Sequence, residues 1–251
     1  MSILPLVDLD PALAALRPLG GFFALRTAPE PPRPLPTLAD AYAHRPCDTH
    51  GNALDFRVRK VARALRAPEP RVAASVAQQG LAARLWSVAL GCAALYGATP
   101  DLEPRLLRWD PEGSAPDDLW LTEVRARPGD PRTLAETVLR GHLAPLATAL
   151  RDRHPVAPGL LWGNAASALA GAARLLEQWA RAHDRPAAAD RARALTAELL
   201  DDPLLAGTGA LTGTAFRRRS CCLYYRVPGA GVCGDCCFTR PPRSSPRAPS
   251  G

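Results

Sequence analysis

Five of the seven cysteines in this chain lie within 17 residues, between Cys221 and Cys237. Cys221 and Cys222 are adjacent, ten residues separate Cys222 from Cys233, and two residues separate Cys233 from Cys236. Two intervening residues let both thiolates turn to the same side, so a C-x-x-C pair can close on one metal ion. The segment therefore predicts a compact loop that is organised around bound metal.

Two kinds of metal centre are compatible with four thiolates at this spacing. Zinc sites usually combine two C-x-x-C pairs, and adjacent cysteines suit one tetrahedral ion poorly because consecutive side chains diverge. Ligands that point to different metal atoms suit a [2Fe–2S] cluster better. The spacing favours the cluster, and the alternative is a zinc-binding structural or interaction protein with a four-cysteine site and no redox activity.

No segment of the sequence predicts a membrane span or a secretory signal. The longest uncharged apolar stretch covers residues 85–100, whereas a bilayer needs roughly 18–20 residues. The N-terminal sequence MSILPLVDLD has no basic region and contains two acidic residues. We therefore expect a cytoplasmic protein, in which thiols stay reduced and clustered cysteines bind metal rather than form disulfides.

The positive charge of the chain does not predict a nucleic-acid site. The formal net charge is +7, and Lys60 is the only lysine among 31 basic residues. The arginines are spread along the chain and alternate with acidic residues, unlike a basic patch. We expect no nucleic-acid partner.

Hydrophobic patterning predicts a mainly α protein with one small β-hairpin, in the α+β class. Residues 71–96 are apolar on nearly every helical face, which predicts one or two buried helices broken near Gly80. Residues 164–183 predict an amphipathic helix with Asn164 as its N-cap. The expected organisation is an N-terminal segment with a proline-rich connector (1–36), a helical domain (37–215) with a hairpin near 105–127, a metal-binding motif (216–238) and a disordered tail (239–251).

Two stretches resemble a known family. The run SCCLYYRVPGAGVCGDC, residues 220–236, is similar to the C-terminal C-C-x10-C-x2-C signature of the FhuF-type ferric-siderophore reductases. The stretch LWGNAAS, residues 161–167, is similar to a second segment of that family. Cys237 departs from the family pattern, so it competes with Cys236 as a ligand, and the two-residue spacing favours Cys236.

The resemblance implies a [2Fe–2S] cluster on Cys221, Cys222, Cys233 and Cys236. It also implies a ferric-chelate reductase, an oxidoreductase that acts on ferric siderophores, with hydroxamates as the expected type. Ferric iron is bound tightly by hard oxygen donors, and ferrous iron is bound far more weakly, so one electron releases the metal. A third hypothesis is a siderophore-handling scaffold that keeps the cluster but is not itself the reductase.

Electrons are expected to come from a separate donor, such as a ferredoxin or a flavoprotein reductase. A literal G-x-G-x-x-G pattern occurs at residues 229–234, but it lies inside the cysteine segment without a surrounding βαβ unit. Arginines next to the cysteines would offset the negative charge of a cluster or attract an acidic partner. The candidate docking residues for substrate or donor are Arg219, Tyr224, Arg226, Trp162 and Asn164.

Overall fold

The computed structural model describes residues 13–28, 30–31, 33–47 and 50–242, and it confirms a mainly helical α+β protein. The helices are α1 (Leu38–Tyr42), α2 (Ala53–Leu65), α3 (Pro70–Tyr96), α4 (Pro131–Leu134), a π-helical segment (Ala135–Leu143), α5 (Ala144–Arg153), α6 (Pro158–Ala182) and α7 (Pro186–Leu200). The strands are β1 (Arg26–Thr27), β2 (Pro46–Cys47), β3 (Gly51–Asn52), β4 (Ala98–Pro100), β5 (Leu107–Trp109), β6 (Leu119–Leu121), β7 (Ala126–Pro128), β8 (Gly209–Thr212) and β9 (Ala215–Arg218). Residues 1–12, and residues 243–251 of the predicted tail, lie outside the described residues.

Helix α3 is the central element of the core. It begins at Pro70, whose missing N–H and fixed φ suit a first helical position, and it ends at Gly97, which has a φ of 71°. The predicted break near Gly80 is wrong, because the helix continues through this residue. A single glycine costs about 1 kcal/mol in a helix, and burial of both flanking stretches offsets that cost.

Helix α6 packs against α3 and begins earlier than predicted. It starts at Pro158, after an extended Ala157, so Asn164 lies inside the helix and is fully buried. The prediction that Asn164 is an N-cap is therefore wrong. Pro158 at the first helical position marks the start of the helix. The side chain of Asn164 instead forms hydrogen bonds in the protein interior.

The hairpin predicted near 105–127 is confirmed. Strands β5 and β6 are antiparallel, with Leu107 opposite Leu121 and Trp109 opposite Leu119. Strand β1 adds to β6 in parallel, and β4 pairs with β7 in a separate two-stranded sheet. A further hairpin, β8–β9, was not expected from the sequence, and it leads directly into the cysteines.

The interior contains a buried ion pair that balances its own charge. Arg84 is 1% exposed and forms an ion pair with Asp118, with Nε 2.9 Å from the carboxylate. Its guanidinium also donates to the carbonyls of Gly21 and Phe22. In the described ranges no helix combines the length and the apolar character that a bilayer crossing needs.

Candidate metal centre

The cysteines lie on a loop of residues 219–238, here called the cysteine loop, that follows β9. Leu223 has a φ of 67° and begins a 3₁₀ turn, Tyr224–Arg226. Gly229 has a φ of 75°, which a residue without a Cβ adopts at no steric cost. These two turns fold the loop back on itself, so that its first and last cysteines meet.

The thiols of the cysteine loop fall into two adjoining groups. The Cys222 and Cys233 sulfurs are 3.5 Å apart. The sulfurs of Cys221, Cys236 and Cys237 all lie within 4.8 Å of one another. Sulfurs that share one tetrahedral metal ion lie about 3.7 Å apart, given metal–sulfur bonds of about 2.3 Å. Each group is therefore close to the spacing that one metal atom requires.

Two groups suit a cluster with two metal atoms better than a single ion. A zinc ion would need four sulfurs around one point, and the group that meets within 4.8 Å contains neither Cys222 nor Cys233. Two sulfurs of that group also accept hydrogen bonds from backbone amides. Leu223 N–H donates to Cys221 Sγ over 3.3 Å, and Phe238 N–H donates to Cys236 Sγ over 3.4 Å. Such donors stabilise thiolates in iron–sulfur sites.

The stretch LWGNAAS of α6 holds the cysteine loop in place. A Cβ on Gly163 would lie 2.3 Å from Ser220 Oγ, so glycine permits the loop to approach the helix. Ser220 Oγ donates to the carbonyl of Gly159 over 2.9 Å, and Ser167 Oγ donates to the Asp235 carboxylate over 2.5 Å. One face of α6 therefore fixes both ends of the loop.

A buried polar chain connects α3, α6 and the loop. Ser75 Oγ donates to the carbonyl of Cys222 over 2.8 Å, across 147 residues of sequence. Asn164 Nδ2 donates to the carbonyl and hydroxyl oxygens of Ser75, each over 3.0 Å. The Asn164 carbonyl oxygen accepts from Arg218 Nη1. Asn164 therefore positions the segment 218–222, which contains the first two cysteines: it binds Arg218 directly and Cys222 through Ser75.

Arg218 is a buried cation beside the thiols. It is 2% exposed, and its Nε and Nη2 have no hydrogen-bond partner among the described residues. An unpaired buried guanidinium is costly unless an anion balances it. Thiolates and sulfides of a cluster would supply that negative charge, so this residue fits such a cofactor.

The pKa values of the thiols follow from their mutual hydrogen bonds. The thiols of Cys221 and Cys233 lower the pKa of Cys222, and the positive charge of Arg218 contributes in the same direction. Their hydrogen bonds to Cys222 raise the pKa of Cys221 and of Cys233. These neighbours therefore favour the thiolate form of Cys222.

The structure separates the five candidate docking residues. Arg219 and Arg226 are exposed and Tyr224 is half-buried, so these three lie at the surface of the loop. Trp162 packs against the core, and Asn164 has no exposed surface for a partner. Arg226 forms an ion pair with Glu69, at 2.5 Å, at the start of α3.

Sequence reasoning missed several residues that shape the centre. They are Ser75, Ser167 and Asp235. Arg218 is one of the arginines that were expected to offset the charge of a cluster, but its burial was not predicted. The signal for Ser167 was present, because glycine, asparagine and serine at positions 163, 164 and 167 share one face of a helix. Nothing local marked Ser75 as different from any other small polar residue on a buried helix.

The fold and the site define a mainly helical protein with a thiol-rich centre that is built for a two-metal cluster. Residues 81–221 match the family model described as "Ferric iron reductase FhuF-like transporter", and residues 218–238 match the "FhuF 2Fe-2S C-terminal domain". The first match spans more than half of the chain, so the chain belongs to the FhuF-like ferric iron reductase family. Its cofactor is a [2Fe–2S] cluster, which decides between the two metals that the spacing left open. No curated protein matches the chain.

Proposed function

We propose that this protein passes one electron to siderophore-bound Fe(III), so that iron is released as Fe(II). In the net reaction a separate donor loses one electron and the ferric chelate gains it. The observation that carries the proposal is that five cysteine sulfurs lie in two adjoining groups inside the segment that matches the 2Fe-2S domain. A ferric siderophore of the hydroxamate type is the proposed substrate.

We assign the cluster ligands to Cys221, Cys222, Cys233 and Cys236. These four would hold the cluster, because the sulfurs of Cys222 and Cys233 lie in one group and those of Cys221 and Cys236 in the other. Cys221 and Cys236 each accept an amide N–H from the residue two positions later, which supports Cys236 over Cys237. When bound, the cluster supplies a one-electron carrier.

The residues around the loop would position the partners and balance charge. Arg218 offsets the negative charge of the ligand set from inside the protein. Arg219, Tyr224 and Arg226 present a basic and aromatic surface, which suits a substrate or an acidic donor such as a ferredoxin or flavoprotein reductase. The chemistry needs neither a nucleophile nor a general base from the protein.

The proposal is tested on protein purified without oxygen. Iron, sulfide and zinc are assayed on the sample whose visible spectrum is recorded. We expect iron and sulfide in equal amounts, absorbance that dithionite bleaches, and recovery of that absorbance when a ferric siderophore is added. A ferrous-specific chelator should capture released iron in step with the recovery.

Two outcomes contradict the proposal. A colourless protein that contains zinc would make the loop a structural element without redox activity. A cluster that dithionite reduces but that no ferric chelate reoxidises would make the protein a siderophore-handling scaffold. Measuring reoxidation and ferrous capture on one sample separates the scaffold from the reductase.

A further inference from the structure

A groove between α3 and α6 reaches the cysteine loop. Its walls are residues of α3 between Gln79 and Ser87 and residues of α6 between Ser167 and Leu175. Phe22, Arg218 and the segment 233–235 complete its lining. Its volume is about 370 Å³, which falls in the range of small-molecule pockets. A molecule in this groove would contact Cys233, which we assign as a cluster ligand.

The rim of the groove is unusually apolar for a protein surface. Three large hydrophobic side chains are exposed among the described residues, and two of them, Phe22 (43% exposed) and Leu175 (50% exposed), line this groove. The third, Phe238, lies outside the groove and stacks edge-on against Tyr225. Apolar surface that is gathered at one concave site favours a ligand with hydrocarbon parts.

The protein's own charged groups in the groove leave one positive charge, on Arg218, which a cluster at Cys233 would balance. The lining contains the cations Arg174 and Arg218 and one carboxylate, Asp235. That carboxylate is already engaged, since it accepts from Ser167 and lies 3.5 Å from the Arg174 guanidinium. Arg218 has no carboxylate partner in the described residues. With the cluster bound, the groove therefore offers guanidinium N–H donors to oxygen acceptors but has no surplus positive charge.

We infer that this groove, here called the cysteine groove, binds the ferric chelate itself and selects uncharged or weakly anionic chelates with methylene-linked oxygen donors. Leu175 and Phe22 contact the hydrocarbon linkers, and the arginines face the oxygens. With the cluster bound, the groove has no surplus positive charge that would balance a trianionic complex. The inference rests on the proposed function, because it names the binding site for the same substrate.

A small chelate fits the cysteine groove better than a protein donor does. The groove is concave and narrow, whereas a stable protein interface buries about 800 Å² on each partner. The exposed side of the loop with Arg219 and Arg226 remains available for the donor. Substrate and donor would then reach the cluster from different sides.

The test uses a chelate that binds but cannot be reduced. Gallium(III) desferrioxamine E, an uncharged cyclic hydroxamate complex, is titrated by calorimetry into cluster-containing protein. We expect Leu175→Glu to weaken binding about tenfold, because it replaces a half-exposed apolar contact with a charge. Gln178→Glu is the matched control, since it adds the same charge at an exposed position of α6 outside the groove, and it should leave binding unchanged.

A second pair of variants compares the two exposed phenylalanines. Phe22→Ala should weaken binding of the gallium complex, and Phe238→Ala should not, although both remove an exposed ring. Visible absorbance and circular dichroism of each variant confirm that cluster and fold are intact. Because gallium is not reduced, these affinities do not depend on electron transfer.

Several results would overturn the inference. One is equal affinity of wild type and Leu175→Glu, and another is absence of gallium-chelate binding. A third is tighter binding of a trianionic gallium tricatecholate than of the hydroxamate complex. If ferric desferrioxamine E still reoxidises the cluster in these cases, the proposed function stands and only the groove is wrong. If the gallium complex binds in the groove but ferric desferrioxamine E does not reoxidise the cluster, the proposed function is wrong and the assignment of the groove as a chelate-binding site stands.

Discussion

Two arginines are buried among the described residues, and their charges are balanced in different ways. Arg84, in the helical core, is 1% exposed and is paired with Asp118 and with backbone carbonyls. Arg218, the last residue of β9 before the cysteine loop, is 2% exposed, and its side chain is hydrogen-bonded only to Asn164 within the described residues. The core thus carries its own counter-charge, whereas the loop leaves that role to a bound anion.

This difference indicates which part of the protein depends on the cofactor. Helices α3 and α6 are joined by a continuous apolar core. The cysteine loop contributes few buried side chains, chiefly Cys222 and Val227, and is attached by hydrogen bonds to Ser75 and Ser167. We therefore expect the helical part to stay folded without metal and the loop to lose its order.

The largest expected effect is the loss of the cluster from Cys222→Ser. This change removes the thiol that lies 3.5 Å from Cys233 and whose pKa its neighbours lower, so nearly all iron and sulfide should be lost. Cys237→Ser is the control and should retain the cluster. Iron and sulfide assays together with circular dichroism measure both effects. Equal losses in the two variants would contradict the ligand assignment, and loss of helicity in Cys222→Ser would contradict the independence of the core.

The next effect is on global stability. Arg84→Met leaves Asp118, whose side chain is 5% exposed, as an unpaired buried charge, and we expect a loss of about 3–5 kcal/mol in the free energy of unfolding. Urea denaturation monitored by circular dichroism measures it. The double variant Arg84→Met/Asp118→Leu should recover much of the loss because it removes both charges. A double variant as unstable as the single one would show that the carboxylate is not the cause.

A third test uses His142, a buried group of the core that is satisfied in its neutral form. Its Nδ1 accepts from the Tyr42 hydroxyl, and its Nε2 faces the Leu102 carbonyl. Burial lowers the pKa of His142 from 6.5 to about 4. The unfolded chain therefore binds more protons as the pH falls, so stability that is complete above pH 6.5 is lost as the pH falls toward 4.

We expect this loss to amount to about 3 kcal/mol. Urea denaturation at several pH values between 7 and 4 gives the free energy of unfolding of wild type and of His142→Gln as a function of pH, and the two slopes are compared. The variant lacks the titrating group, so its free energy of unfolding should fall less steeply. Parallel slopes would contradict the assignment of the titration to His142.

The smallest effect is expected from Arg218→Met, and it is on the cluster rather than on the fold. Removing a positive charge beside Cys222 and Cys233 disfavours the reduced, more negative state. We expect the reduction potential to fall by about 60 mV, a tenfold change for one electron. Redox titration monitored by visible absorbance measures it, and Arg217→Met, at an exposed position, is the control. A potential unchanged by Arg218→Met would show that its charge is balanced elsewhere.

The sequence predicted the gathering of the cysteines better than it predicted their surroundings. The spacing between Cys221 and Cys236 is local, so their proximity can be expected from residue counts alone. Ser75 and Cys222 are 147 residues apart, and only the packing of α3 against α6 brings them together. Asn164 was misplaced because an asparagine at the start of an apolar stretch also fits an N-cap. Its real partner, Arg218, lies on a strand that the sequence did not predict.

The close approach of Cys222 to Cys233 has a consequence for protein that has lost its metal. Sulfurs 3.5 Å apart need to move only about 1.5 Å to reach disulfide length. An oxidant that takes two electrons and two protons from this pair would link them and close the loop without iron. Reassembly of the centre would then require a reductant before iron and sulfide, so the order of addition governs recovery.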